Sequence, residues 1–315
     1  MDDLLRALPK AELHVHLEGS VEPETLVELD RSLTVEGVRK HYVYNDFRGF
    51  LDTYKWVNGY LRTSADYALI TRRLLERLAR EGVVHAEINI SAGVILWKRQ
   101  DVDAMFEAVA EEAARHSVST LFIFDAVRQF GVEAAWAVAR HAAKWAGHGV
   151  AAFGIGGDEL AIPLSAFQEV FDFAQSHGLR LVPHAGETGT ADTVREAVKC
   201  GAHRIGHGIA AAQDPAVMNL LRERDTPLEV CISSNLCTGV VASLDQHPVR
   251  RLWDAGVPIV LNSDDPPMFH TTLLDEYRIA AKHFGFTPNE LRRLAEDSLR
   301  YSFRAVDPTG PSGMV

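Results

Sequence analysis

Cysteine is scarce in this sequence, and what there is does not pair. Cys200, Cys231 and Cys237 are odd in number and show no CxxC spacing, which argues against a disulfide framework and against a cysteine-rich zinc site. A reducing, cytoplasmic home is the expectation. No apolar run reaches membrane-spanning length, and the N-terminus, Met1 followed by Asp2 and Asp3, is acidic where a secretion signal would be basic. Positive charge is also short, with 32 Lys and Arg against 43 Asp and Glu and a formal net charge of −11. Neither a nucleic acid recognised through a basic face nor a membrane surface is therefore an expected partner. Low-complexity segments and sequence repeats are missing as well.

What remains is an alternation of strand and helix. With 315 residues and 47% hydrophobic content, the chain can bury one large core, and residues 1–315 are read as a single domain. Runs at 11–17, 83–90, 120–125, 149–155, 179–187, 204–208, 228–233 and 258–263 read as strands. Helical patterns lie between them, with Pro23 early in one helix and Gly82 ending another at Arg80. Residues 30 to 65 are irregular and aromatic-rich, with Phe47, Phe50, Tyr54, Trp56 and Tyr60 expected mostly in helix core. Eight strands alternating with helices predict an α/β chain of the (β/α)8 barrel type, with an extra helical segment after the first strand. The tail 308–315 is predicted to be loose.

Position is the next signal. His14, His16, Glu18, Gly157, His184, Glu187, His207, Ser233, Asp264 and Asp265 all fall at or just past the carboxyl ends of the predicted strands. In a (β/α)8 barrel that face collects catalytic groups. His14 and His16 are two apart on a strand, so their rings point to one side and can share a cation. His184 adds a third imidazole, and Asp264, on the last strand beside the first in a closed barrel, adds a carboxylate. Such a set of nitrogen and oxygen donors suits one zinc ion with a water as the remaining ligand, which reads as hydrolytic. Glu187, three residues past His184, is better placed for substrate, as a general acid or as a loop or helix-capping residue. His207 stands between two glycines, free to meet the nucleophile or to serve structurally. Asp264-Asp265-Pro266 admits one carboxylate on metal and the other on substrate, or a plain turn.

Five separated motifs name a resemblance. Pro9 to Gly19 (PKAELHVHLEG), Gly157-Asp158-Glu159, His184 to Glu187 (HAGE), Arg204 to Gly208 (RIGHG) and Leu261 to Pro266 (LNSDDP) resemble the adenosine deaminase family of the amidohydrolase superfamily. The match spans almost the whole chain. It implies zinc held by His14, His16, His184 and Asp264, with Glu187 protonating purine N1 while water activated on zinc attacks C6. It further implies that His207 orients and deprotonates that water, that Asp265 bonds the water and purine N7, and that the Gly157 N–H meets purine N3. Ammonia is the leaving group.

One departure bears on the substrate. Glu18 stands where adenosine-specific members usually carry an aspartate that contacts the ribose 5′-hydroxyl. The runs Phe50 to Trp56 (FLDTYKW) and Ser91 to Trp97 (SAGVILW) are similar to those of bacterial 6-amino-6-deoxyfutalosine deaminases of the menaquinone route, whose substrate bears an aromatic carboxylate beyond the 5′ carbon. The resemblance thus points to an apolar slot from Phe47, Phe50, Trp56 and Trp97 with a cation from Arg48, Lys55 or Lys98. Ordinary packing and a solvated surface are the competing account of those residues. The partner is a small aminopurine nucleoside, with adenosine or adenine as the alternative. The HxE and PCxxC signature of the cytidine-deaminase type is absent.

Overall fold

In the computed structural model, which describes residues 2–304, the expected barrel is present. Its strands are β1 (Lys10–His16), β2 (Val83–Ile90), β3 (Ser119–Val127), β4 (Val150–Gly156), β5 (Arg180–Ala185), β6 (Ile205–His207), β7 (Leu228–Val230) and β8 (Ile259–Leu261). They pair in sequence order and all in parallel. The circle closes where the chain passes Asp264: Val15 bridges Asp264, His16 N donates to Asp264 O at 2.9 Å, and Asp264 N donates to His14 O at 3.0 Å. The seam therefore joins the same residues that the sequence offers as ligands.

Burial follows from a sheet covered on its outer face by helices, which removes almost every strand residue from water. Inside the barrel, alternation puts Ile123, Ala152 and Val182 of three neighbouring strands on the face that also carries Asp125, Gly154 and His184. β1 does not keep perfect register with β2: it shifts between Lys10 and Ala11 and again between Glu12 and Val15, the second at the stretch that delivers His14. Among the described residues, no helix is long and apolar enough to cross a membrane.

Several boundaries differ from expectation. The run 228–233 is strand only to Val230, because Ile232–Cys237 turns into a short helix whose first N–H groups, from Ile232 and Ser233, donate to the buried Glu276 carboxylate at 2.9 and 3.3 Å. A side chain from a distant helix thus decides the local backbone. Strand eight is likewise shorter than 258–263. The extra segment after β1 is helical, with Pro23–Leu29, Val35–His41 and Phe47–Asn58, so 30 to 65 is less irregular than expected. Asp46 and Thr34 accept from Gly49 N and Gly37 N and start two of these helices. The tail 308–315 lies outside the described residues.

One outer contact gives a test of the frame. Asp103, on the helix Val102–Ala113, accepts from Lys144 Nζ at 2.6 Å and Trp145 Nε1 at 2.7 Å and faces His141 Nδ1 at 3.1 Å, tying that helix to Val132–Lys144 and its C-cap. Burial would raise its carboxyl, but the bonds from Lys144, Trp145 and His141 hold it down at about 2. A depressed folded-state pKa stabilises above the unfolded value of about 4 and loses that stabilisation as pH falls toward 2. Asp103→Asn should cost about 1 kcal/mol at pH 7, the carboxylate being partly solvated. In thermal melts its deficit against the parent should shrink below about pH 4.

Candidate active site

Four side chains converge at the seam. Asp264 Oδ1 lies 3.5 Å from His14 Nε2 and 3.4 Å from His16 Nε2, and His184 Nε2 lies 3.3 Å from His16 Nε2. Two imidazole nitrogens so close, with a carboxylate oxygen beside them, must share either a proton or a cation. His14 Nε2 is buried and has no hydrogen-bond partner among the described residues. Its other nitrogen, Nδ1, lies 2.7 Å from Glu229 Oε2, which assigns the ring proton to Nδ1 and aims the Nε2 lone pair at the cluster. The donor set fits a metal ion.

Electrostatics agree. Burial pushes the His16 imidazole down to about 3 and the His184 imidazole well below its ordinary value, so both are neutral donors. Burial would also lower His14, yet the carboxylates of Asp264 and Glu229 beside it pull it well above its usual range. The same two carboxylates that favour a proton there favour a bound cation. Burial would raise the Asp264 carboxyl, but the His14 ring and the neighbouring imidazoles hold it well below the usual carboxylate range. Asp264 also has a left-handed φ of 63°, which few residues other than glycine adopt and which aspartate tolerates.

Glu187 is placed by its backbone. The loop after β5 wraps around the Glu159 carboxylate, which accepts from the N–H groups of Gly186, Glu187, Thr188 and Gly189 and from Thr193 Oγ1. With that loop held, the Glu187 carboxyl points into the barrel, where burial and then Asp264 push it well above the ordinary range. That setting favours the protonated carboxyl. His207 Nε2 sits 3.7 Å from Glu187 Oε2 and 3.8 Å from Asp264 Oδ2, while Asn235 Nδ2 lies 3.3 Å from His207 Nδ1 and His247 Nε2 lies 3.1 Å from Asn235 Oδ1. Burial lowers the His207 ring to about 4. Asp265 is raised well above the usual range by burial and by Asp264, and its Oδ1 has no partner in the protein. Gly19 makes room for it, since a Cβ there would overlap the Asp265 carboxylate.

The structure divides the substrate-side candidates. Glu18 is fully buried and committed, accepting from Ser91 N at 3.0 Å and lying 3.5 Å from the Tyr54 hydroxyl, which itself bonds Ser91 Oγ at 2.7 Å. Gly157 follows β4 with φ 90°, and a side chain there would strike Gln129. Phe50 faces Phe269 at 4.9 Å and Tyr54 at 6.0 Å, and Tyr54 in turn faces His16 at 6.4 Å. Trp56 does not join Phe50: two positions past Tyr54 on the same helix, it lies on the opposite side and stacks on His41 at 4.0 Å. Trp97 is 70% exposed and stacks on Phe130. Among the candidate cations, Lys98 is spent on the carbonyls of Asn58 and Leu61, Lys55 pairs with Asp52 at the surface, and Arg48 is exposed.

Sequence reasoning missed Glu229, Asp125, Asn235 and the holding role of Glu159. A glutamate inside the apolar run Leu228-Glu-Val-Cys231 was a signal, because a buried charge requires a partner. Asp125, hydrogen-bonded by Asn89 Nδ2 at 2.8 Å, lies 3.6 Å from His16 Nδ1, as Glu229 lies beside His14. Gly206 is also required, since a Cβ there would come within 2.9 Å of His14 Cε1 and 3.2 Å of His184 Cγ. Gly206→Ala should leave the far-UV circular dichroism unchanged and weaken divalent-metal binding, read by titration, by at least about tenfold, as changes just outside a ligand set do.

Comparison with known proteins agrees with this geometry. The profile of the family described as adenosine deaminase matches residues 9–309. An aminodeoxyfutalosine deaminase of Streptomyces coelicolor is 39% identical over 313 residues, covering 95% of this chain and 81% of that protein. The crystal structure of an adenine deaminase from Arthrobacter aurescens superposes with a TM-score of 0.89 at 32% identity, covering 95% of this chain and 94% of that one. An amidohydrolase from Burkhoderia ambifaria with bound Zn shares the fold, with a TM-score of 0.87 at 24% identity over 97% of this chain and 88% of its own. The chain belongs to the adenosine deaminase family, enzymes that hydrolyse carbon–nitrogen bonds.

Proposed function

We propose that this protein is a zinc-dependent deaminase acting at C6 of an aminopurine nucleoside, with 6-amino-6-deoxyfutalosine as its substrate. The observation that carries the reaction is the convergence, in one buried space, of four metal-type donors with a proton-bearing carboxyl and an oriented imidazole. His14, His16, His184 and Asp264 would hold one zinc ion. Zinc there would supply a bound water whose pKa is lowered to about 7, so that the nucleophile is available at neutral pH.

The remaining residues work on the purine. Glu187, protonated in its buried loop, donates to N1 as oxygen adds to C6, which keeps charge from building on the ring. Asp265, also carrying a proton, donates to N7, and the Gly157 N–H lies on the loop that would meet N3. His207 orients the attacking water through Nε2, its other nitrogen being occupied by Asn235. Cleavage of the C6–N bond then releases ammonia, the amine leaving with one proton of the attacking water while the other returns Glu187 to its protonated form, and leaves the 6-oxo product.

The substrate reading rests on the likeness to the Streptomyces coelicolor protein and on Glu18. Glu18 accepts from Ser91 N and lies 3.5 Å from the Tyr54 hydroxyl, so its carboxylate is turned toward Ser91 and Tyr54, which supports a substrate whose 5′ carbon carries something other than hydroxyl. Adenine is the second reading, favoured by the likeness to the Arthrobacter aurescens enzyme.

Purified protein should carry one zinc per chain by elemental analysis. Glu187→Gln should lose about 10²- to 10⁴-fold in turnover, the usual contribution of a general acid, while keeping its zinc. Loss of the metal in that variant would contradict the role. Ammonia release should be fastest from aminodeoxyfutalosine; a clear lead for adenosine or adenine would overturn the substrate reading while leaving the reaction in place.

A further inference from the structure

Below the candidate metal site the barrel interior is closed by residues 301–304, which follow the helix Pro288–Arg300, rather than by strand residues alone. Phe303 packs on Ile123, Ala152 and Val182, the interior layer of β3, β4 and β5, and Arg304 reaches Ser119 at the start of β3. Lying on the Phe303 ring, 3.7 Å from its centre, is the Arg204 guanidinium, which is 1% exposed. Each edge of that guanidinium has a different partner. Nη1 donates to Tyr301 O at 3.0 Å, Nη2 to Glu87 Oε2 at 2.6 Å, and Nε to Glu229 Oε1 at 2.5 Å. Glu87 in turn accepts from Phe303 N through Oε1. Glu229 presents its second oxygen, Oε2, to His14 Nδ1.

We propose that Arg204, clamped by Tyr301 and Phe303, is a positioning residue for the metal ligand His14, so that the segment 301–304 beneath the barrel sets how tightly the metal is held. This rests on the reading of His14 as a ligand. The physical reason is charge and shape together. Glu229 and Glu87 are both wholly buried, and a buried carboxylate with no compensating charge neutralises or turns away. Arg204 compensates both, and its planar fork permits the Glu229 contact only in one orientation. That orientation is imposed from below by a ring face and a carbonyl, neither of which a lysine could satisfy at once with the two carboxylates. Without it, Glu229 no longer holds the His14 Nδ1 proton, and the Nε2 lone pair loses both its aim and its basicity. Asp125 offers His16 a looser partner at 3.6 Å and is itself held by Asn89, with no arginine paired to it among the described residues; the built support is on His14.

The test uses the full chain loaded with zinc and follows metal release to an excess of a chromophoric chelator. Glu229→Gln and Arg204→Lys should release zinc about 10- to 100-fold faster than the parent, the range seen when partners of metal-bound histidines are removed. Phe303→Ala should act in the same direction by a smaller factor. Phe303→Leu, which fills much of the volume without offering a ring face, keeps the test standing if Arg204→Lys does not fold. Val217→Ala, a cavity in the helix Pro215–Arg224 away from this chain of contacts, should lower the melting temperature and release zinc at the parent rate. Parent-like release from the Arg204 and Phe303 variants, or equal acceleration in Val217→Ala, overturns the proposal. A parent protein that retains no zinc overturns the metal reading itself, which is a separate result.

Discussion

The barrel seam is the constraint on which the candidate site depends. Two backbone hydrogen bonds, His16 N to Asp264 O and Asp264 N to His14 O, close the cylinder between its first and last strands. The residues that make them carry three of the four donor side chains. Closure of the fold and assembly of the donor set are thus one event, and the left-handed backbone of Asp264 is stabilised by both. His184 completes the set from the far side, where Gly206 lets two imidazoles come close across β6.

Charge is the second organising feature. The interior holds many carboxylates, and each one is managed differently. Glu159 is satisfied by backbone N–H groups and thereby shapes the loop that carries Glu187. Glu229 is matched by Arg204 and handed on to His14. Glu187 and Asp265 have no such compensation and are pushed toward the protonated state. The proposed site, which would hold a cation and carry protons at once, calls only for different partners around chemically similar groups.

Much of this was legible in the sequence, because strand ends are marked locally. An apolar run that stops at HxH, at HAGE or at SDDP announces both a strand and its polar terminus, and eight of them in alternation with helices leave little choice of architecture. The misread places are those where a distant side chain overrides local pattern. Ile232 and Ser233 continue an apolar run, yet they begin a helix because Glu276 caps them. Trp56 and Trp97 look like lining for a slot, but helix phase turns one onto His41 and the other out toward Phe130.

By itself, the sequence determined the barrel, the carboxyl-end location of the polar residues and the family, since each depends on short-range periodicity or on ordered motifs. Only the tertiary structure decided that Asp264 closes the seam through its own backbone bonds to His14 and His16, that Glu159 shapes the Glu187 loop, and that Arg204 and Phe303 stand beneath Glu229. Those relations join residues tens to hundreds of positions apart, and one-dimensional pattern carries no distance between them. They come into being when closure of the sheet and burial of charge force particular partners together.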